Sequence, residues 1–279
     1  MPAVSIVICS RNRAAQLEKC LNQLSLRINE HPEVELVLVD NASQDETRRR
    51  MTDFALTCPV KTKVLYEQKP GLSFARNTAL AHATGDLVAF LDDDCFVDTR
   101  YLEILAKLAH HREVEFGGGQ AIPFTGSFIP PSIPPAMEWL APRSFIRAGR
   151  IKGCVMFFRS SVIRKIGSFD TLLGAGAPLL SGEDSDYVAR ASGAGFRGGY
   201  VPELLVHHDQ TPRPRESIDR GYDLGRGAFY FKALCRGQWA YLRGWYETYA
   251  RDGFPLESLA REFRGVCLYV WFRFLKLFT

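Results

Sequence analysis

A chain of 279 residues, 46% hydrophobic and 24% charged, holds enough apolar material for one substantial core and lacks the bias of a disordered or fibrous protein. Its seven cysteines are odd in number and scattered, with no CxxC pair, which points away from a disulfide framework or a zinc module and toward reduced thiols in the cytoplasm. The net charge of +4 sits late in the chain: residues 211–279 carry 12 Lys and Arg against 7 Asp and Glu, weak evidence for nucleic acid and better evidence for an anionic membrane surface.

The chain opens Met-Pro-Ala and enters the apolar stretch 4–9 without a basic leader, so no export signal is expected. Residues 4–9 read as a buried strand, after which Leu17, Cys20, Leu21, Leu24 and Ile28 recur at helical spacing. Residues 35–40, 63–67 and 87–91 are three more strands, and 73–83 and 98–111 carry helical patterns. Strand and helix in alternation predict a parallel, wound α/β sheet. After Gly117-Gly-Gly119 six prolines between Pro123 and Pro142 predict a long loop placed as a lid. A strand at 155–158, a helix from Ser160, a glycine-rich loop at 174–182, a helix from Glu183 and a strand ending at His208 follow, and from Arg215 the pattern is helical and aromatic. No internal repeat interrupts this order. The apolar run 265–272 falls short of the ~20 residues of a spanning helix, so no membrane crossing is expected.

In an open parallel sheet the ligand site lies beyond the carboxyl ends of the strands. Those ends are unusual here: Ser10-Arg11-Asn12-Arg13 after the first strand, Asp40-Asn41-Ala42-Ser43 after the second, Asp92-Asp93-Asp94 after the fourth. Taken alone, Ser10 and Asp40 read as cap or turn residues. Three consecutive carboxylates repel one another unless a positive group sits among them. If the strand continues, Asp92 and Asp94 share a face and offer two oxygen ligands to Mg²⁺ or Mn²⁺. An acidic turn ahead of a helix cap at Asp98 explains the triplet equally well.

Six motifs, in order, resemble the family 2 glycosyltransferases of GT-A fold: Val4-Ser-Ile-Val-Ile-Cys-Ser-Arg-Asn12, Val39-Asp-Asn-Ala-Ser43, Gly71 to Asn77, Phe90-Leu-Asp-Asp-Asp94, Gly182-Glu-Asp-Ser-Asp186 and Val206-His-His208. The resemblance spans about residues 3–212. It implies a GT-A type, mostly parallel sheet flanked by helices with a C-terminal helical extension. It divides the chain into a nucleotide-sugar-binding half (1–120), an acceptor-binding and catalytic half (121–212) and a basic aromatic helical region (213–279). It assigns the donor to Ser10, Asn12, Asp40, Arg76, Asp92 and Asp93, and a divalent metal, Mn²⁺ or Mg²⁺, to Asp94 and His208. Asp184 falls where inverting members keep the catalytic base. The implied partners are a nucleotide-diphosphate sugar, a UDP-sugar first among them, and a saccharide or lipid-linked acceptor in cell-surface polysaccharide or glycolipid assembly. The implied location is the cytoplasm, at the inner face of the membrane.

Local chemistry leaves two of these assignments open. Ser181-Gly-Glu-Asp184 also fits a helix-capping pattern, with both acids favoured by the helix dipole. Because Asp93 is itself acidic, either adjacent pair of the triplet can coordinate an ion. His207 and His208 point to opposite sides of a strand, so only one faces the site, and His208 is the choice. The Gln-x-x-Arg-Trp signature of processive synthases is absent, which favours one sugar per encounter. Gly193-Ala-Gly-Phe-Arg-Gly198 satisfies GxGxxG but follows a helix and precedes a strand, so it is a helix stop and no dinucleotide loop. No phosphate-loop motif occurs. A polyprenyl-phosphate glycosyltransferase of the same fold and a non-catalytic nucleotide-sugar-binding protein are the competing functions. For the aromatic tail, helices packed on the body and an interfacial membrane surface account equally for the pattern.

Overall fold

The computed structural model describes residues 3–124, 136–209, 215–253 and 255–275. Most of the proline-rich loop, expected to act as a lid, lies outside the described residues. The strands β1 (Val4–Ser10), β2 (Val34–Asp40), β3 (Thr62–Tyr66) and β4 (Leu87–Asp92) form a parallel block in the order β3-β2-β1-β4. Helices α1 (Ala14–Ile28), α2 (Thr47–Thr57) and α3 (Leu72–His82) make the crossovers. Both faces of this block are covered, which is why its strands are apolar at consecutive positions. Ile6, Ile8, Leu36, Leu38 and Leu91 pack with the buried face of α1, and Val7, Val37, Val39 and Phe90 with Ala75 and Ala79 of α3.

Beyond β4 the sheet is mixed, within the mostly parallel GT-A arrangement expected. β5 (Cys95–Val97), β6 (Phe116–Pro123), β7 (Glu138–Leu140), β8 (Met156–Arg159) and β9 (Gly198–His208) continue it as β4-β8-β6-β9-β5, with β7 also on β9. Only β6 and β9 pair in parallel in this half. Gly117-Gly-Gly119 lies within β6. A Cβ on Gly119 would lie 1.8 Å from the Leu204 carbonyl oxygen, so these glycines mark close backbone approach within the sheet. The helices of this half are α4 (Tyr101–His110), α5 (Ser160–Ile166) and α6 (Glu183–Gly193). The N-cap of α6 is Gly182 at φ +88°, not Ser181, so the proposed side-chain cap is not made.

Three C-terminal helices, α7 (Arg215–Cys235), α8 (Ala240–Asp252) and α9 (Leu256–Leu275), pack on α6 and the loop before it. Asp186 of α6 is fully buried and meets Lys232 of α7 and Arg236 just after that helix at 3.0 and 2.9 Å, beside Arg190 of its own helix at 3.1 Å. Lys232 also reaches Asp170 at 2.6 Å, and the Tyr269 hydroxyl of α9 donates to Asp170 at 2.9 Å. Removing Asp186 from this cluster strands its three cations, typically at ~3–5 kcal/mol. Where α7 crosses the loop, a Cβ on Gly225 would sit 2.2 Å from the Ser181 carbonyl oxygen, so backbone lies on backbone one residue before Gly182.

α9 has inverted amphipathicity. It buries Ser258, Glu262, Gly265 and Tyr269 and leaves Leu256, Phe263, Val270, Trp271 and Phe274 exposed. No helix among the described residues is long and apolar enough to cross a membrane.

Candidate active site

The parallel registers set Ser10 beside Asp40 and Cys9 beside Asp92, so the polar ends of β1, β2 and β4 meet along one edge. β4 stops at Asp92 and a turn follows, so Asp92 and Asp94 do not share a face by strand alternation. Pairing of β5 with β9 places Cys95 opposite His208 instead, and this brings Asp94 to the histidine. His208 Nε2 lies 2.9 Å from Asp94 Oδ1. His207 points the other way, buried, 3.5 Å from Asp98.

The cation needed by the aspartate triplet is supplied in part by the chain itself. Arg13 Nη2 donates to Asp94 Oδ2 at 2.5 Å, and Arg13 Nε lies 3.2 Å from Asp93 Oδ1. Asp93 is buried and accepts from the Ser10 hydroxyl at 2.5 Å. Burial, with repulsion from its two neighbours, pushes the Asp93 carboxyl up to about 7 against the pull of Arg13 and Ser10. Burial works against ionisation of Asp94 too, but its contacts with His208 and Arg13 hold its carboxyl below the ordinary range. The same bond to Asp94 raises the His208 imidazole above its usual value. Asp93 thus ties the loop after β1 to the motif, and the accessible part is Asp92 together with Asp94 and its partner His208.

Among the described residues, ligand-type atoms of Asp94, Cys95 and His208 lie within 4.8 Å of one another. A carboxylate oxygen and an imidazole nitrogen suit Mn²⁺ or Mg²⁺ with further oxygen ligands from substrate, whereas the Cys95 thiol is buried, and its contact with Cys154 together with that burial keeps it protonated. The donor set fits a divalent ion at Asp94 and His208.

Arg76 is 2% exposed. Its Nη1 donates to Glu183 at 2.9 Å, and its Nη2 lies 3.5 Å from Asp92 and 3.4 Å from the Gly153 carbonyl oxygen. The side chain assigned to base or diphosphate therefore spans the aspartate motif and the start of α6. Burial and the adjacent Asp184 charge push Glu183 up to about 7 despite Arg76. Asp184 is oriented by the Gly153 backbone N–H, which donates to Oδ2 at 3.1 Å, and by the Ser185 N–H on Oδ1 at 2.6 Å. Asp184 lines a cavity of about 570 Å³ bounded also by Arg147 and by residues of α7, α8 and α9.

The other expected donor residues take local roles. Asn12, at φ +54°, accepts from the Gln44 N–H at 2.7 Å, which joins the loops after β1 and β2. Asp40 is fully buried; the Ser43 N–H donates to Oδ1 at 3.1 Å, and Oδ2 has no hydrogen-bond partner among the described residues. Arg13, Gly153 and Glu183 were not singled out from the sequence. Arg13 stands in the quoted first loop and Glu183 beside Asp184, so both were within reach of a search for charges to balance the triplet. A backbone N–H at Gly153 leaves no sequence signal.

A mostly parallel sheet with acids at the ends of its first strands and a carboxylate at the start of a later helix is the arrangement of the GT-A fold. The model of glycosyl transferase family 2 matches residues 5–164, more than half of the chain, and the chain belongs to that family. Glycosyltransferase AglE of Haloferax volcanii is 26% identical over 239 residues, covering 85% of this chain and 76% of its own. The pre-mycofactocin glycosyltransferase of Mycobacterium tuberculosis is 29% identical over 249 residues, covering 78% of this chain and 45% of its own length. Among solved structures, a mannosyltransferase from Pyrobaculum calidifontis in complex with GDP-Man and Mn²⁺ superposes with a TM-score of 0.65 at 19% identity, covering 96% of this chain and 81% of that one. Residues 1–349 of S. aureus TarS in complex with UDP-GlcNAc give 0.66 at 17% identity, covering 97% and 81%.

Proposed function

We propose that the protein is an inverting glycosyltransferase that moves a sugar from a nucleoside diphosphate, a UDP-sugar in the first instance, to an acceptor hydroxyl in cell-surface polysaccharide or glycolipid assembly. The observation that carries this is the placement of Asp184. Its carboxylate is held by two backbone N–H groups and lies one residue from Glu183, which Arg76 ties to the aspartate motif. In the transfer, the acceptor oxygen gives its proton to Asp184 and forms a bond to the anomeric carbon. The bond from that carbon to the diphosphate oxygen breaks with its electron pair on the departing nucleoside diphosphate. Asp94 and His208 would hold the divalent ion, whose chemistry when bound is to take up charge on the diphosphate. The unpartnered Oδ2 of Asp40 supports a nucleoside site at the end of β2, since a buried acceptor without a donor costs about 1–3 kcal/mol.

The test is Asp184→Asn. Transfer should fall ~100- to 10,000-fold with donor affinity little changed. A folded variant that keeps most of its turnover would remove Asp184 from the mechanism. Donor hydrolysis without acceptor, across nucleotide sugars with and without metal, separates this enzyme from a nucleotide-sugar-binding protein that has lost turnover.

The inverted amphipathicity of α9 supports peripheral contact with the inner face of an anionic membrane. Phe263 is 70% and Trp271 58% exposed, with exposed Arg264 and Arg273 on the same helix. Aromatic rings beside arginines suit the headgroup region. Vesicles containing phosphatidylglycerol should sediment with the protein at low salt and release the Trp271→Glu, Phe274→Glu double variant. Equal sedimentation of both proteins would assign the exposed face another role.

A further inference from the structure

We infer that a second cavity, between the last turns of α7 and α9, binds the phosphodiester headgroup of an anionic membrane lipid. This rests on the membrane contact of α9 and gives that contact a specific ligand. The cavity, about 360 Å³, lies in the ordinary range for small-molecule sites and shares no lining residue with the cavity at Asp184. Lys232, Cys235 and Arg236 line it from the α7 side, and Tyr269, Val270 and Arg273 from α9. Val270, 48% exposed, belongs both to the cavity and to an exposed stripe with Phe263, Cys267 and Phe274, which recur at helical spacing.

Among the described residues, every charged side chain that lines this cavity is a cation. The carboxylates behind them, Asp170 and Asp186, are already engaged: Lys232 bridges the two at 2.6 and 3.0 Å, and Asp186 also holds Arg190 and Arg236. Arg236 spends only Nη1 on Asp186, and its Nε and Nη2 have no hydrogen-bond partner among the described residues. Arg273 has neither a hydrogen-bond nor an ion-pair partner among them. Four cations therefore stand over two carboxylates. The C-terminal ends of α7 and α9, worth about half a negative charge each, account for part of that excess, since Lys232 and Arg273 lie in the last turns. About one positive charge remains, carried on N–H donors, and it matches the single negative charge of a phosphodiester. Inorganic phosphate supplies similar oxygens but nothing for Val270 and the stripe beyond it, along which the acyl chains of a lipid can lie.

Cys235 in the cavity and Cys267 on the stripe are both exposed thiols, so they report on the two surfaces separately. Iodoacetamide alkylation of the full chain is followed at each cysteine by peptide mass spectrometry. It is run with dihexanoyl phosphatidylglycerol below its micelle concentration, with dihexanoyl phosphatidylcholine, and with inorganic phosphate at matched ionic strength. Phosphatidylglycerol at about four times its Kd should slow Cys235 roughly fivefold and Cys267 far less. The zwitterionic lipid and inorganic phosphate should leave Cys235 near its free rate. Arg273→Gln, at an exposed position that does not put folding at risk, should lose the protection. No protection of Cys235 by phosphatidylglycerol, or protection that survives in Arg273→Gln, overturns the site, and equal protection by inorganic phosphate overturns the lipid as its occupant. Phosphatidylglycerol vesicles test the membrane contact apart from the cavity, because they should slow Cys267. Vesicles that leave Cys267 at its free rate, with Cys235 still protected by the soluble lipid, would sink the membrane contact and not the headgroup site.

Discussion

The edge formed by the ends of β1, β2 and β4 and the wall formed by α7 and α9 solve one physical problem in different ways. Both hold charged side chains at a site from which water is partly excluded. At the strand edge the charges come from loops distant in sequence that parallel pairing sets side by side: Arg13 reaches Asp93 and Asp94, and neighbouring strand ends supply Ser10 and Asp92. In the helical region local pairs within one helix, such as Arg226 with Asp223, stand beside pairs between separate elements, such as Asp170 with Lys232 and Tyr269. The edge is fixed by the pairing of the sheet, whereas the wall exists only once three helices have docked. The contrast teaches that Asp184, the base of the proposed mechanism, stands on a helix held by elements outside the strand ends, through Gly225 and the Asp186 cluster.

The strongest challenge to that contrast is Gly225→Ala. Its Cβ cannot occupy a point 2.2 Å from the Ser181 carbonyl oxygen, so α7 or the loop must shift beside Asp184. Transfer should fall about 100-fold, as displacements near 1 Å can do, while nucleoside diphosphate affinity at the strand edge stays near wild type. A variant with full transfer would show that α7 does not position the base. On the other side, Asp94→Asn should weaken manganese-dependent binding of UDP or GDP by roughly 10- to 100-fold. Calorimetry with manganese and then with excess chelator measures it, and equal affinity in both conditions would rule out a metal at Asp94 and His208.

The smallest effect concerns stability. Burial opposes ionisation of Asp170, but Lys232, the Leu172 N–H and Tyr269 hold its carboxyl down to about 2. Its folded value lies below the unfolded one near 4, so its contribution is complete above that pH and is lost as pH falls from 4 through 2. Asp170→Asn should cost about 2 kcal/mol at neutral pH and reduce the acid dependence between pH 4 and 2. Glu35, buried at the far side of the parallel block and held at about 2 by Thr84 and Ser5 in spite of that burial, should preserve a remaining acid slope. Urea unfolding at stepped pH checks both, and an unchanged acid limb would remove Asp170 from the linkage.

Much of the strand edge was legible because its signals are local. Apolar runs of five or six residues ending in Ser10, Asp40 and Asp92 announce buried parallel strands, and all three residues lie at the edge predicted for them. The mixed half was less legible. β5 and β7 have three residues each, too few to show alternation, and the glycines of β6 look like a break until the backbone they face is known. The charge argument for a metal met a rival in Arg13, since sequence distance hides which arginine folds back onto the triplet. α9 misleads a pattern reader outright, because its buried face carries Glu262 and Ser258 and its exposed face Phe263 and Trp271. Hydrophobic periodicity locates such a helix but assigns its faces the wrong way round.

The Tyr269–Asp170 bond joins positions 99 residues apart on either side of α6, the helix that carries Asp184. During synthesis, when N-terminal parts order first, the strand edge can be complete while α6 still lacks a cover for Asp186, Leu173 and Leu179. A chain that ends before α9 would then hold the strand edge but leave the helix that carries Asp184 without the Tyr269 contact to Asp170.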